Sequence, residues 1–553
     1  MLRKKGENRI ILVTAAFFIM FTLLGMNYYA LSVKQTSVRA AEKNAQLTIN
    51  AGESQGTIYD RNMNPLVNTR TLCRAVVVPS AVNADEIAAY AADSEDFCRK
   101  YSEGQPFVFE CAENTPESDG LTVFRIPERY SADRTACHVT GCLSDGHGAD
   151  GIEYAFDGIL RNQNGENSVT YIMDGFGHVM IGDGKKVRRS SADKGGVVTT
   201  IDRDIQRICE DCGKSVKKGA IVAADIESGD ILAMASFPSY DIADLEKAVT
   251  DEDCPMINRT LYSYSVGSIF KLVTAAEAIE EGMGGMMYDC SGNIDVNGQI
   301  FNCHKCDGHG LQDMGTAMTN SCNTYFISLA EALDIGKFRE RAYSLGFGRE
   351  NFLCTGINGS AGILPTVGDL QIPAELANFS FGQGRLTATP LQITQLACAI
   401  ANNGEMPMLR LIKGLTVDGE YVSGEKLPRV TRVMEEETAV QLRKMMVSAV
   451  RDNSNSNARS KKVSVGAKTS TAQTGRFDKK GEELCNAWIT GFFPSRKPKY
   501  AVTVLIEDGG YGNDAAAPIF RKIAEEVMEL RMENYNIVGA DIIRPQSVEK
   551  VRI

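Results

Sequence analysis

Hydrophobic and polar positions divide the chain into three stretches of different texture. From Ile10 to Val33 no charged residue interrupts an apolar run, and the basic stretch "MLRKKGENR" precedes it. As a helix at about 1.5 Å per residue the run reaches roughly 35 Å, enough for a bilayer core. "VKQTSVRAAEKNAQL" then has the polar pattern of a helical stalk, and "GTIYDRNMNPLV" alternates around a turn at Asn62 to Pro65 like a β-hairpin. Residues 70–190 mix short strands with turns such as "SDGHGADG" and "MDGFG" and carry no cluster of reactive residues.

The texture changes near Gly195. "GGVVTTIDRDIQRICEDCGKS" reads as a strand leading to an Asp-capped helix, and "GAIVAADIESGDILAMAS" as two apolar strands about the turn "ESGD". Helical patterns dominate to about residue 450. Strands return in "VSVGAKTSTAQ", "NAWITGFF" and "KYAVTVLIED", and "PIFRKIAEEVMELRME" closes with a helix. Strands at both ends with helices between them predict an α+β domain whose sheet is completed late. The expected organisation is a tip and anchor over 1–33, a stalk and β-rich spacer over 34–194, a larger domain over 195–535 and a tail over 536–553.

Length and charge narrow this picture. A chain of 553 residues implies about two or three domains. Its 43% hydrophobic and 23% charged residues are those of a globular protein. The net charge of −11 offers no basic footprint for nucleic acid. Lys and Arg precede the apolar run, and Tyr28 and Tyr29 fall where an interfacial belt would lie. The positive-inside rule therefore expects the N-terminus in the cytoplasm and the rest outside. The run is long for a signal peptide and no small-x-small site follows promptly, so a single-pass, uncleaved anchor is expected.

Fifteen cysteines are an odd count for an exported chain, leaving at least one thiol unpaired or paired between chains. Two Cys-x-x-Cys pairs stand out, Cys209/Cys212 and Cys303/Cys306, the second with His304 and His309 nearby. That neighbourhood invites a zinc reading. The pairs are far apart, however, and "ICEDCGK" resembles a helix end on which this spacing is merely one face. A local disulfide or free thiols are expected, and no metal site is assigned.

Three motifs could carry chemistry. In "YSYSVGSIFK", Ser268 and Lys271 stand three apart where an apolar run begins. A serine there usually caps the helix. Alternatively the pair shares a face, the helix N-terminus favours negative charge, and a lysine made neutral by burial takes the serine proton. In "TNSCNTYF", Ser321 and Asn323 occupy a short loop between helical patterns, either as cap and turn residues or as two convergent polar groups. In "GAKTSTAQTG", Lys468 and Thr469 lie on a strand flanked by small residues. Such a strand can receive an extended peptide, or can be an ordinary edge that uses lysine against aggregation.

In this order "SIFK", "SCN" and "KTS" resemble the Ser-x-x-Lys, Ser-x-Asn and Lys-Thr-Gly signature of the penicillin-binding transpeptidases. "GTIYDRN", "GIEYAFDGIL", "TIDRDIQ", "FGQGRLTATPLQITQLACAIANNG" and "AWITGFFPSRKPKYAV" extend the resemblance over about residues 50 to 530, with an anchor as in class B members. The resemblance implies a penicillin-binding transpeptidase domain, an antiparallel sheet flanked by helices, behind a non-catalytic pedestal. It further implies a peptidoglycan D,D-transpeptidase that binds D-Ala-D-Ala stem peptides and β-lactams, uses no metal or organic cofactor, and works with a polytopic glycan polymerase. Ser268 would form the acyl-enzyme and Lys271 would be its base. Ser321 would relay protons and Asn323 would hold the substrate amide. Lys468 and Thr469 would bind the terminal carboxylate, with Lys468 also keeping Lys271 neutral, and the amides of Ser268 and Thr471 would form the oxyanion hole.

This sequence departs from the pattern at Ser470 and Ala467, where glycine is usual, and at Gln55-Gly56, where the family often has Arg-Gly. Strand alternation puts Ser470 on the side of Lys468, where its side chain is expected to crowd the ligand. Two other outcomes share this fold. One is a carboxypeptidase or β-lactamase passing the acyl group to water, for which Glu375 in "ELAN" is a superficial candidate. The other is a weakly catalytic scaffold or β-lactam sensor.

Overall fold

The computed structural model describes residues 2–33, 45–131, 133–162, 165–182, 184–189, 194–425 and 428–542. Its N-terminal helix is Leu2–Val33. Within it Ile11–Ala30, with mean hydropathy 1.9, is long and apolar enough to cross a membrane, and its large apolar side chains are exposed. Most of the expected stalk falls outside the described residues. Gln46 and Leu47 at its end do not continue a helix but begin the strand Gln46–Ser54.

The chain forms two compact units. The first comprises residues 1–55, 70–128 and 164–193. In it Gln46–Ser54 pairs antiparallel with Gly165–Met173, and Arg70–Val77 is the central strand between Phe107–Glu110 and Leu121–Glu128. Phe97, on the Asp93-capped helix Ser94–Ser102, packs edge-on against Phe109 in the apolar core of that smaller sheet.

Residues 56–69 and 129–163, expected in the spacer, belong instead to the second unit with 194–553. Backbone pairing and a buried charge bring them there. Thr57–Tyr59 pairs in parallel with the strand Gly196–Thr199. The turn expected at Asn62 to Pro65 folds back, with the Leu66 N–H donating to Ile58 O. Arg129 donates from Nη2 to the fully buried Glu153 carboxylate at 2.6 Å and from Nη1 to Gly56 O.

The second unit is built on a five-stranded antiparallel sheet, in the order Ile231–Phe237, Gly219–Asp225, Tyr500–Ile506, Glu483–Phe493, Gly466–Phe477. Strand alternation assigns each residue to one of two cores. Ala220, Val222 and Ala224 face the core that includes the helix Pro390–Ala401. Ile221 and Ala223 face Phe520, Ile523 and Val527 of the helix Gly512–Ile542, together with Ile205 and Cys209 of the helix Arg203–Gly213. Helices cover both faces, which is why the inner strands are mostly apolar, whereas the edge strand Gly466–Phe477 carries Lys468 and several hydroxyl residues.

The stretch expected to be helical also contains small β-pieces. Asn293–Val296 and Gln299–Asn302 form a hairpin with Val296 opposite Gln299. Asn297 (φ 49°) and Gly298 (φ 88°) make its two-residue turn, both in the left-handed region that such turns require.

Candidate active site

Ser268 lies in a single 3-10 turn, Gly267–Phe270, that runs directly into the helix Lys271–Glu280. The N-cap positions of the two segments are Val266 and Phe270, and neither makes a side-chain cap bond. Ser268 is therefore not a capping serine. The helix is apolar nearly all round and Lys271 to Ala278 are all buried, which carries the lysine into the interior.

Two glycines let the turn sit where it does. The Gly267 N–H donates to Gly382 O at 2.8 Å, and φ at Gly267 is +62°. A Cβ on Gly267 would lie 2.4 Å from Ser470 Oγ, and one on Gly382 would lie 2.1 Å from Gly267 O. Neither position has room for a side chain. Gly382 belongs to "FGQG", so that motif supports the Ser268 turn through its backbone.

Lys271 Nζ contacts three oxygens: Ser321 O at 2.7 Å, Asn323 Oδ1 at 2.7 Å and Ser321 Oγ at 3.2 Å. The first two can only accept and would use both N–H bonds of a neutral amine, leaving its lone pair for a hydroxyl. Burial first, and then the nearby Lys468 charge, hold this amine well below the ordinary lysine range. Ser321 has the left-handed φ of 51° and lies between the helices Met314–Thr319 and Asn323–Ala332, the interhelical loop expected from sequence.

Lys468 Nζ donates to Ser321 Oγ at 3.1 Å and to Thr469 O at 3.0 Å. Burial lowers its pKa to about 8. One serine hydroxyl thus lies between two lysine nitrogens from different elements. Thr469 and Thr471 are half-buried on the opposite side of the strand, and Thr471 Oγ1 accepts from the Gly512 N–H at 3.2 Å.

Ser470 departs from expectation. It shares the side of Lys468, but that side packs against the turn that carries Ser268. Its hydroxyl is buried and donates to Val266 O at 2.8 Å. The side chain is turned to the backbone of Val266 and ties the strand to the residue before Gly267. Glu375 lies on the helix Pro373–Ser380.

All fifteen cysteines are free thiols. Cys209 and Cys212 are both buried on one helix, as their spacing suggests. The other pair divides: Cys306 is exposed, whereas Cys303 is buried. Cys290, Cys303, His309 and Cys322 bring four potential ligand atoms within 4.8 Å of one another. Sequence spacing had pointed to Cys303 and His309 but not to Cys290 or Cys322, which are distant in the chain and join only when the hairpin folds against the Ser321–Asn323 loop.

Comparison with known proteins defines the class. The penicillin binding protein transpeptidase domain matches residues 219–525, more than half of the chain. The chain belongs to the penicillin-binding protein transpeptidase family, and it is a serine-type transpeptidase. Among its relatives, stage V sporulation protein D of Bacillus subtilis is 28% identical over 92% of this chain and 83% of its own length. The peptidoglycan D,D-transpeptidase PbpA of Mycolicibacterium smegmatis is 28% identical over 72% of this chain and 83% of its own. Among solved structures, one from a study of a peptidoglycan synthase complex that coordinates polymerization and crosslinking has the same fold at TM-score 0.67 and 24% identity, covering 93% of this chain and 97% of that one. A ceftriaxone acyl-enzyme complex of penicillin-binding protein A from M. tuberculosis aligns at TM-score 0.61 and 24% identity, over 73% and 92% of the respective chains.

Proposed function

We propose that the protein is a peptidoglycan D,D-transpeptidase that forms an acyl-enzyme on Ser268. The observation that carries this reading is the Ser321 hydroxyl held between Lys271 and Lys468, with Ser268 three residues before Lys271. Ser268 Oγ attacks the carbonyl carbon between the two D-alanines and its proton passes to Lys271 Nζ, a neutral base at working pH. The Ser268 and Thr471 N–H groups stabilise the oxyanion. Collapse breaks the C–N bond, and Ser321 relays the proton that leaves with D-Ala. An amine of a neighbouring strand then attacks the ester, Lys271 takes up its proton, and Ser268 is regenerated.

Lys468, positively charged, and Thr469 hold the terminal carboxylate, and Asn323 orients the substrate amide. Ser470 is a positioning residue. Penicillin enters the same reaction and remains as a covalent adduct. The Lys and Arg residues before Ile10 support an orientation with the N-terminus inside and the second unit outside the cell membrane. The structural likeness to a chain from a synthase complex supports partnership with a polytopic glycan polymerase.

Mass spectrometry of the detergent-purified full chain, incubated with penicillin and then with a D-Ala-D-Ala thioester plus a D-amino acid acceptor, tests the reading. The expected adduct maps to Ser268 and disappears in Ser268→Ala, and the thioester yields an aminolysis product. An adduct elsewhere removes the nucleophile assignment. Hydrolysis alone would indicate a carboxypeptidase or β-lactamase, and no adduct at all a scaffold.

A further inference from the structure

We infer that Cys290, Cys303, His309 and Cys322 form a mononuclear zinc site that fixes the catalytic Ser321–Asn323 loop. Three thiols and an imidazole are a donor set that selects a soft, tetrahedral ion. The spacing supports it. With Zn–S near 2.3 Å and Zn–N near 2.0–2.1 Å, tetrahedral geometry requires sulfur atoms about 3.8 Å apart and sulfur–nitrogen separations of about 3.6 Å. Cys303 and Cys322 Sγ lie 3.9 Å apart, and His309 Nδ1 is 3.6 Å from Cys290 Sγ and 3.5 Å from Cys303 Sγ.

The surroundings suit thiolates. The Thr324 hydroxyl lies 3.1 Å from Cys290 Sγ and 3.4 Å from Cys322 Sγ, and the Asn323 and Lys305 N–H groups point to Cys303 Sγ. The three sulfurs are buried and His309 closes the half-buried side. Binding Zn²⁺ would release three thiol protons and close loops between four separate points of the chain.

The position of Cys322 gives the ion its role. Its neighbours Ser321 and Asn323 supply all three oxygens around Lys271 Nζ. A metal bond at Cys322 would hold that backbone, including the left-handed Ser321, in the conformation that aims both side chains at the lysine.

Metal content does not depend on the transpeptidase reading. Elemental analysis of the detergent-purified full chain, reduced and dialysed against metal-free buffer, should find about one zinc per chain. Cys290→Ser and Cys322→Ser should lower this at least fivefold, whereas Cys306→Ser and Cys209→Ser should leave it unchanged. Because the first two variants can fail to fold, native wild-type chain is also alkylated before and after chelation. Cys290, Cys303 and Cys322 should react at least tenfold faster once metal is removed. Cobalt(II) reconstitution should give thiolate charge-transfer and tetrahedral d–d bands. Chelation should slow penicillin acylation at least tenfold, and added zinc should restore it. Absence of zinc even after reconstitution, a mapped disulfide among the three cysteines, or iron in place of zinc would overturn the site. A bound zinc whose removal leaves acylation unchanged would overturn its role in the loop.

Discussion

Lys271 and Lys468 are both buried, both reach the hydroxyl of Ser321, and come from different elements, one from a helix and one from a strand. Their environments separate them. Lys468 has a hydroxyl and its neighbour's carbonyl for partners, and burial alone lowers its pKa to about 8. Lys271 bears the same burial plus the Lys468 charge, and is held well below the ordinary lysine range. Two like charges so close disfavour each other, and the neighbouring Lys468 charge adds to burial in favouring the neutral form of Lys271. In the proposed reaction one residue type thus serves as base and as cation within a single site.

The largest test of this division removes the base. Lys271→Ala should slow penicillin acylation by about 10²–10⁴-fold, the usual range for a general base, with the circular dichroism spectrum unchanged. A variant that keeps more than a tenth of the rate would break the assignment.

Next, Lys468→Met should cost about ten- to hundredfold in kcat/KM for carboxylate-bearing ligands, the value of one hydrogen bond to a charged group. The loss should appear mainly in KM. Equal loss with a ligand lacking the carboxylate would show that this lysine acts in proton transfer instead.

The pH profile separates the two lysines more finely. Acylation should fall on the acid side as pH drops through the depressed pKa of Lys271, because protonation removes the base. It should fall on the alkaline side as pH rises through about 8, where Lys468 loses its charge. In Lys468→Met the alkaline limb should vanish. The acid limb should move to higher pH, since the charge that depresses Lys271 is gone. Stopped-flow rates across pH 4–10, a span of about six units around these limbs, decide it.

The smallest effect is expected at Ser470. Ser470→Gly should not speed acylation, because the hydroxyl is turned to Val266 O. It leaves Val266 O without this donor at a cost of about 1–2 kcal/mol, which lowers Tm by a few degrees, measured by calorimetry. Faster acylation by bulky β-lactams would restore the crowding expected from strand alternation.

The central strands Gly219–Asp225, Ile231–Phe237 and Tyr500–Ile506 were legible because helices cover both faces and nearly every position is apolar. The three motifs were legible as types and order. Lys271 opens a helix and Ser321 lies in the loop as expected, whereas Ser268 lies in a 3-10 turn just ahead of its helix and Asn323 is the first residue of a helix and not in the loop. Facing was not legible. Alternation correctly grouped Ser470 with Lys468, but not which side the nucleophile turn would occupy. The hairpin at Asn297-Gly298 was missed although that dipeptide between apolar residues is a strong turn signal. The four-donor cluster was hidden for another reason. Its members are separated by 13, 6 and 13 positions along the chain, read from 290, 303, 309 and 322, and the conspicuous Cys-x-x-Cys contributes only one.

The glycine contact under the nucleophile also governs how this protein can change by inheritance. At Gly267 and Gly382 even a single methyl group would collide with Ser470 Oγ or with Gly267 O. On the strand, Ser470 and Ala472 lie against the same turn, and the buried Lys468 beside them reaches Ser321, so the three are held on one enclosed side. Thr469, Thr471 and Gln473 alternate with them on the more open side. Positions on that open row are not locked to the turn, so each can change without forcing a change in the others. The frame that holds Ser268 must pass between generations as a block.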